Sequence, residues 1–232
     1  MNYKVVIPAA GEGKRMKAGK NKLWLEIGGK PLIVHAIEVF QADPECEGVI
    51  TAVAPSEQAD MAALFTRYGL SKVERLVSGG AERQHSVHAG LKACARASDA
   101  IVLIHDGARP FVTHRLIRRL TEAADKSGAA IPAVPVKDTV KRVNEGRVAE
   151  TLERSSLWAV QTPQAFRLSL ILQAHEEAAQ KGKVGTDDAS LVEWSGHEVT
   201  VVTSDYDNLK VTTPEDLVIA RAIMMKRREE LR

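Results

Sequence analysis

The chain has 232 residues, 44% hydrophobic and 27% charged, with 32 Lys and Arg against 30 Asp and Glu, a size and balance that predict one globular domain with a sizeable core. The near-neutral charge and an aromatic content of only 4% exclude nucleic-acid binding through a basic surface or base-stacking platforms. Cys46 and Cys94 stand apart without metal-ligand spacing, as expected of free thiols in a cytoplasmic protein; no apolar run reaches membrane-span length, and Val5-Val6-Ile7 meets Pro8 too soon for a secretory leader.

Tyr3–Ile7 is an apolar run that predicts a buried first strand. It leads into Pro8-Ala9-Ala10-Gly11-Glu12-Gly13-Lys14-Arg15-Met16. Small residues and glycines at a strand end let backbone N–H groups approach an anion closely. Lys14, Arg15, Lys17, Lys20 and Lys22 place five cations within nine positions, which suits a polyphosphate. Spacing excludes two familiar phosphate loops. No Gly-x-x-x-x-Gly-Lys-Ser/Thr run exists, and Met16 stands where a dinucleotide fingerprint needs its third glycine. Helical periodicity follows at Leu32–Gln41, with Pro31 suited to its first turn. Strands are then expected at Gly48–Ala54, Lys72–Val77, Ala100–His105 and Ala129–Val134. Helices are expected between them at Glu57–Tyr68, Arg83–Ala97 and Thr113–Lys126, with Thr113 as an N-cap. This alternation predicts an α/β fold, a mostly parallel sheet with helices on both faces. Ligands in such folds bind at the carboxyl ends of strands. The glycine-rich loop, Gly79-Gly80 and His105-Asp106-Gly107 all fall at such ends and so converge on one edge of the sheet.

The pattern changes after residue 135. Val136–Val143 alternates, Asn144-Glu145-Gly146 supplies a turn and Arg147–Leu152 returns, which reads as a β-hairpin. A lone hairpin is marginal in water, so this one is expected to pack on something. Leu168–Lys181 is helical and ends at Gly182. Asp187–Trp194 is a second helix, its Asp187 and Asp188 read as first-turn dipole partners rather than metal ligands. Glu198–Val202 is a late strand. A last helix runs from Pro214 to about Leu231, with Thr213 as N-cap and Pro214 at N1. His85 and His88 lie three apart on a helix with no third ligand nearby, so zinc is not expected. No Ser-His-Asp or Cys-His arrangement is suggested.

The Pro-Ala-Ala-Gly-x-Gly-x-Arg-Met form of the first loop resembles the 2-C-methyl-D-erythritol 4-phosphate cytidylyltransferase family. Further segments match it in order: Gly79–Val87, His105–Pro110, Asp138–Lys141, Glu153–Trp158, Gln161–Gln164, Thr186–Ser190 and Lys210–Leu217. The resemblance implies a Rossmann-like, twisted sheet of nucleotidyltransferase type in a single domain over 1–232, with 136–154 as a protruding dimerisation arm. It implies transfer of the cytidylyl group of CTP to a small sugar-alcohol phosphate with Mg²⁺ and release of pyrophosphate. Arg15 and Lys22 would stabilise charge developing on the α-phosphate, since such enzymes position reactants and neutralise charge. Ala9, Ala10, Gly11 and Gly13 would bind the nucleotide, with Gly80 and Ser86 at its cytosine and ribose. Ala81 and His85 stand where the family often carries an acid. Thr139, Arg154, Thr162, Thr186, Lys210 and Thr212 would form the sugar-phosphate group, hydroxyls and cations being apt for a phosphate monoester. Arg154 and Lys210 would hold the attacking phosphate in line, Arg154 acting in trans across a homodimer. Asp106 is either a Mg²⁺ ligand or a contact to substrate hydroxyls, and Arg109 either its structural partner or a nucleotide contact. The alternatives are a ribitol-5-phosphate cytidylyltransferase and a catalytically silent nucleotide-binding protein. Pro8-Ala9-Ala10-Gly11 and Glu153–Trp158 favour the erythritol enzyme.

Overall fold

The computed structural model describes residues 1–11, 21–94 and 100–230. Strand β1 (Tyr3–Pro8) is followed by a tiny ribbon, β2 (Glu26–Ile27) and β3 (Lys30–Pro31), and then by α1 (Leu32–Ala42), β4 (Cys46–Val53), α2 (Gln58–Arg67), β5 (Val73–Ser78), α3 (Arg83–Cys94), β6 (Ile101–Ile104), α4 (His114–Ser127) and β7 (Ala129–Pro135). Next come β8 (Lys141–Asn144), β9 (Arg147–Thr151), β10 (Trp158–Val160), β11 (Gln164–Arg167), α5 (Leu168–Gln180), α6 (Asp188–Trp194), β12 (Thr200–Thr203) and α7 (Pro214–Glu230).

The alternating pattern holds: β4, β1 and β6 pair in parallel, as do β4 with β5 and β7 with β12. The sheet departs from the expectation at β10 and β11. β11 is antiparallel and lies between β6 and β7, opposing Ala165 to Leu103 and to Ala130. β10 runs antiparallel along the rest of β7, opposing Val160 to Ala133. The two are separated by Gln161-Thr162-Pro163, whose Thr162–Pro163 peptide is cis. Neither strand is legible locally. β10 has three exposed residues, β11 has four residues, and a proline separates them. Their strand character comes from the pairing edges of β6 and β7.

Side chains of β1 alternate between two core layers, as period 2 requires. Val5 and Ile7 join Ile37 and Phe40 of α1, Met61 of α2 and Ile117 of α4 on one face. Val6 joins Val87 of α3, Ile171 of α5 and Val192 of α6 on the other. Each such fully buried aliphatic contributes ~1.5–3 kcal/mol of transfer free energy. A smaller cluster of Ile27, Leu32, Phe111, Val211, Ala220 and Ile223 docks α7 beside the ribbon. The cap predicted at Thr113 forms, and Asp187, expected only as a first-turn dipole partner, is a cap as well. Thr113 Oγ1 accepts from Leu116 N–H at 3.3 Å, and Asp187 Oδ1 accepts from Ser190 N–H at 3.0 Å.

The hairpin is present at its predicted turn. Glu145 and Gly146 have φ of 50° and 77°, the consecutive positive values that a two-residue hairpin turn demands. β8 and β9 form a two-stranded sheet of their own, every residue of it exposed. Val143 opposes Val148 across it, and these valines are 54% and 63% exposed.

Candidate functional site

The loops after β1, β5 and β6 meet at one cleft, about 410 Å³ in volume, together with Lys22 and Lys210. Gly79 makes the junction possible. Its N–H donates to Val53 O at 2.8 Å, and a Cβ on it would lie 2.3 Å from the Cβ of Ala10. The end of β5 therefore abuts the end of β1 at a distance only glycine permits. Beyond it, Gly80 N–H donates to Ser86 Oγ at 3.1 Å, and the Ser86 hydroxyl donates to Glu82 O at 3.3 Å. Ser86 thus secures the turn into α3 while lining the cleft.

Of the predicted residues, Ala9, Ala10, Gly11, Lys22, Gly80, Ser86, Asp106 and Lys210 all border this cleft. Gly13 and Arg15 lie outside the described residues. Lys22 starts a 3₁₀ turn, Lys22–Trp24, whose entry is fixed by Asn21. Asn21 Nδ2 donates to Ala9 O at 2.7 Å and to Glu57 Oε2 at 2.8 Å, while its Oδ1 accepts from Leu23 N–H at 3.1 Å. Trp24 Nε1 donates to Glu57 Oε1 at 3.2 Å. One carboxylate at the start of α2 thereby ties the Lys22 turn back to the end of β1.

Asp106 is the electrostatic centre. Lys210 Nζ lies 2.6 Å from its Oδ2, Arg83 Nε 3.2 Å from its Oδ1, and Arg109 Nε 3.8 Å from Oδ2. Burial works to raise its pKa, but Arg83, Lys210 and Arg109 outweigh burial and hold the carboxyl well below the usual range. Arg109 is buried beside Asp106, and its Nη1 donates to Asn208 O at 2.7 Å. Burial also pushes His105 down to about 4, so its ring is neutral. A neutral ring that donates from Nε2 to Arg109 O at 3.0 Å accepts at Nδ1 from the Thr162 hydroxyl at 3.2 Å. Thr162 Oγ1 in turn accepts from Asp106 N–H at 3.0 Å. The hydroxyl expected to meet substrate is occupied in holding the Asp106 backbone.

The remaining members of the expected sugar-phosphate group do not border the cleft. Thr139, Arg154 and Thr186 are exposed, and Arg154 Nη1 donates to Lys137 O at 2.9 Å beside the arm. Thr212 donates from both N and Oγ1 to Asp216 Oδ2, at 2.7 and 2.9 Å. Asp216 N–H donates back to Thr213 Oγ1 at 3.3 Å, so this segment is a capping box for α7.

One expectation needs correction and one residue was missed. Asp187 is the N-cap of α6, but Asp188 is more than a dipole partner: it is 1% exposed and bound at 2.7 Å by Arg83 Nη1. The missed residue is Arg83, which pairs with both Asp106 and Asp188. The signal was available, because Asp188 falls among the buried Ala189, Leu191 and Val192, and a buried carboxylate demands a cationic partner. Among the described residues no group of three His, Cys, Asp or Glu is arranged to hold a metal ion, and no helix is long and apolar enough to cross a membrane.

Comparison with known proteins identifies the family and the fold. The family described as "IspD: 2-C-methyl-D-erythritol 4-phosphate cytidylyltransferase" matches residues 3–226. A protein of that name from Bacillus velezensis is 56% identical over 225 residues, 97% of this chain and 96% of the relative. One from Geobacillus thermodenitrificans is 56% identical over 227 residues, 98% of this chain and 99% of the relative. The crystal structure of 2-C-methyl-D-erythritol 4-phosphate cytidylyltransferase from Thermus thermophilus superposes with a TM-score of 0.79 at 35% identity, covering 96% of this chain and 98% of that one.

Proposed function

The chain belongs to the 2-C-methyl-D-erythritol 4-phosphate cytidylyltransferase family, and we propose that the cleft at the ends of β1, β5 and β6 is where it joins CTP to 2-C-methyl-D-erythritol 4-phosphate. The products are 4-diphosphocytidyl-2-C-methyl-D-erythritol and pyrophosphate, and the reaction serves non-mevalonate isoprenoid biosynthesis. The observation that carries the siting is the convergence of Lys22, Lys210, Asp106 and the small-residue strand ends on one cleft. An oxygen of the sugar phosphate attacks the α-phosphorus, a new P–O bond forms, and the bond to the β-phosphate oxygen breaks. Both groups are phosphates, so no protein nucleophile or general base is required. The protein supplies alignment and charge. Backbone N–H groups at Ala10 and Gly11 face the triphosphate, Lys22 and Arg15 stabilise the α-phosphoryl charge as it grows, and Lys210 receives the attacking phosphate.

Mg²⁺ fits this donor set. Asp106 is an ionised carboxylate on the cleft wall, and Mg²⁺ commonly takes one or two carboxylates with phosphate oxygens. A carboxylate has about four lone-pair sites, so Asp106 keeps acceptor capacity beyond Lys210 and Arg83. The ion supplies charge neutralisation and orientation of the triphosphate when bound. A homodimer completes the site: the exposed arm and the exposed Trp158 and Val160 of β10 form the contact, and Arg154 acts on the neighbouring subunit's sugar phosphate.

Pyrophosphate release from CTP, measured with 2-C-methyl-D-erythritol 4-phosphate and with ribitol 5-phosphate in turn, tests this reading. Release with the first alone is expected. Release with ribitol 5-phosphate alone moves the chain to the sister activity, and release with neither makes it a silent nucleotide binder.

A further inference from the structure

Arg83 opens α3 and borders the cleft, its side chain 31% exposed. Its fork is held at both ends. Nε reaches Asp106 at 3.2 Å, and Nη1 reaches the buried Asp188 at 2.7 Å. Behind Asp188, His175 Nε2 of α5 lies 3.3 Å from Oδ1. The neighbouring Gln84 clasps the loop ahead of α6, donating from Nε2 to Lys183 O at 3.1 Å and accepting at Oε1 from Gly185 N–H at 2.9 Å. The start of α3 is therefore anchored to α5 and α6 on one side and to the floor of the cleft on the other. On that floor Asp106 is shared. Lys210 holds Oδ2 at 2.6 Å while Arg83 holds Oδ1, so the cation that must meet the substrate phosphate is paired with a carboxylate before substrate arrives. When Lys210 moves to the phosphate, this buried carboxylate loses its closest counter-charge and is left with Arg83 at 3.2 Å and the more distant Arg109 at 3.8 Å, and removing the nearer of these as well leaves a buried charge poorly compensated, which is strongly unfavourable.

We propose that Arg83 is a positioning residue that acts through Asp106, keeping this carboxylate in place and compensated when Lys210 transfers to the sugar phosphate. The proposal rests on the reaction proposed above. The guanidinium suits the task because its planar fork spans two carboxylates at once, which a point-charge ammonium cannot do. Without it Asp106 retains Lys210, and the phosphate-receiving cation is withheld.

The test is steady-state kinetics with both substrates on Arg83→Met, Arg83→Lys and Asp188→Asn, together with calorimetric titration of CTP. In Arg83→Met, kcat/KM for the sugar phosphate is expected to fall about 10- to 100-fold, the worth of a charge-assisted bond, with CTP affinity within about twofold of wild type. Arg83→Lys keeps the charge without the fork and is expected to fall between wild type and Arg83→Met. Asp188→Asn, which loosens the anchor alone, should shift kcat/KM in the same direction by less. Combining Arg83→Met with Lys210→Ala should cost less than the product of the single losses, because both act on one step. Should Arg83→Met not fold, Arg83→Lys and Asp188→Asn carry the same test. Unchanged kinetics, CTP affinity lost in parallel, multiplicative losses, or lowered thermal stability with normal kinetics would each overturn the proposal. Wild-type protein in the same assay separates the two levels: no product from wild type defeats the functional reading itself, whereas normal wild-type turnover with unaffected Arg83 variants defeats only this role.

Discussion

Lys22 reaches the cleft on a turn that Asn21 and Glu57 pin to the end of β1, so the contribution proposed for it is preorganised charge. Lys22→Ala, and likewise Arg15→Ala, is expected to lower kcat by ~3–4 kcal/mol of transition-state stabilisation. Steady-state kinetics decide the matter: a raised KM at unchanged kcat would assign these residues to ground-state binding instead. His105 is the residue whose protonation couples the site to stability. It is fully buried and neutral, with its pKa pushed down to about 4 by burial, against ~6.5 in an unfolded chain. A lowered histidine leaves the unfolded state binding more protons between those values. Stability is therefore full above about pH 6.5 and falls as the pH drops towards 4, by on the order of 3 kcal/mol for this group. Burial shifts His35 and His88 in the same direction, so His105→Gln should flatten only part of the slope. Denaturant unfolding at a series of pH values between about 7.5 and about 4.5 measures it, and an unaltered slope in the variant would refute the assignment.

At the scale of elements, the cleft depends on how closely two strand-end loops approach. The Cβ introduced by Gly79→Ala would stand 2.3 Å from the Cβ of Ala10. Both atoms are attached directly to backbone, so relief requires moving a loop. A loss of ~1–3 kcal/mol is expected for such overpacking, accompanied by weakened CTP binding. Ala10→Gly in the same chain should restore both, and thermal unfolding with CTP titration would read the pair. A Gly79→Ala protein of normal stability would mean that the loops separate readily. Helices with strong periodicity and caps were legible: Leu32–Gln41 and Thr113–Lys126 lie within a residue of α1 and α4. Elements without local pattern were not. β10 and β11 acquire extended structure because β6 and β7 each offer an unpaired edge, a property of the partners and not of Trp158–Val160 or Gln164–Arg167.

For the whole molecule, the arm raises the question of what it packs against. Among the described residues its strands pair only with each other, and a two-stranded ribbon is marginal alone. Exchange of identical arms in a two-fold dimer would cover it and carry Arg154 to the neighbouring site. Lys22→Ala and Arg154→Ala proteins, each nearly inactive, should then complement when subunits are exchanged. One site of a mixed dimer receives both defects and the other neither. Random reassociation of equal amounts makes about half the dimers mixed, so activity should recover to about a quarter of wild type. Tagged-subunit capture verifies the exchange. Mixed dimers that stay at the parental level would place Arg154 in its own subunit's chemistry or outside it.

The alternation of strands and helices up to β7, the small-residue strand end at the cleft, the hairpin turn and the family to which the chain belongs were all legible in the sequence, because each rests on neighbours in the chain: hydrophobic period, glycine at a turn, cations spaced along one loop. The tertiary structure decided what rests on residues distant in the chain. It paired Arg83 with Asp188 across 105 positions, buried Arg109 beside Asp106, turned the Thr162 hydroxyl inward to His105, and placed an antiparallel strand within a parallel sheet. Those outcomes depend on which charges are buried together and which sheet edges are left open, and both are settled only when the whole chain packs.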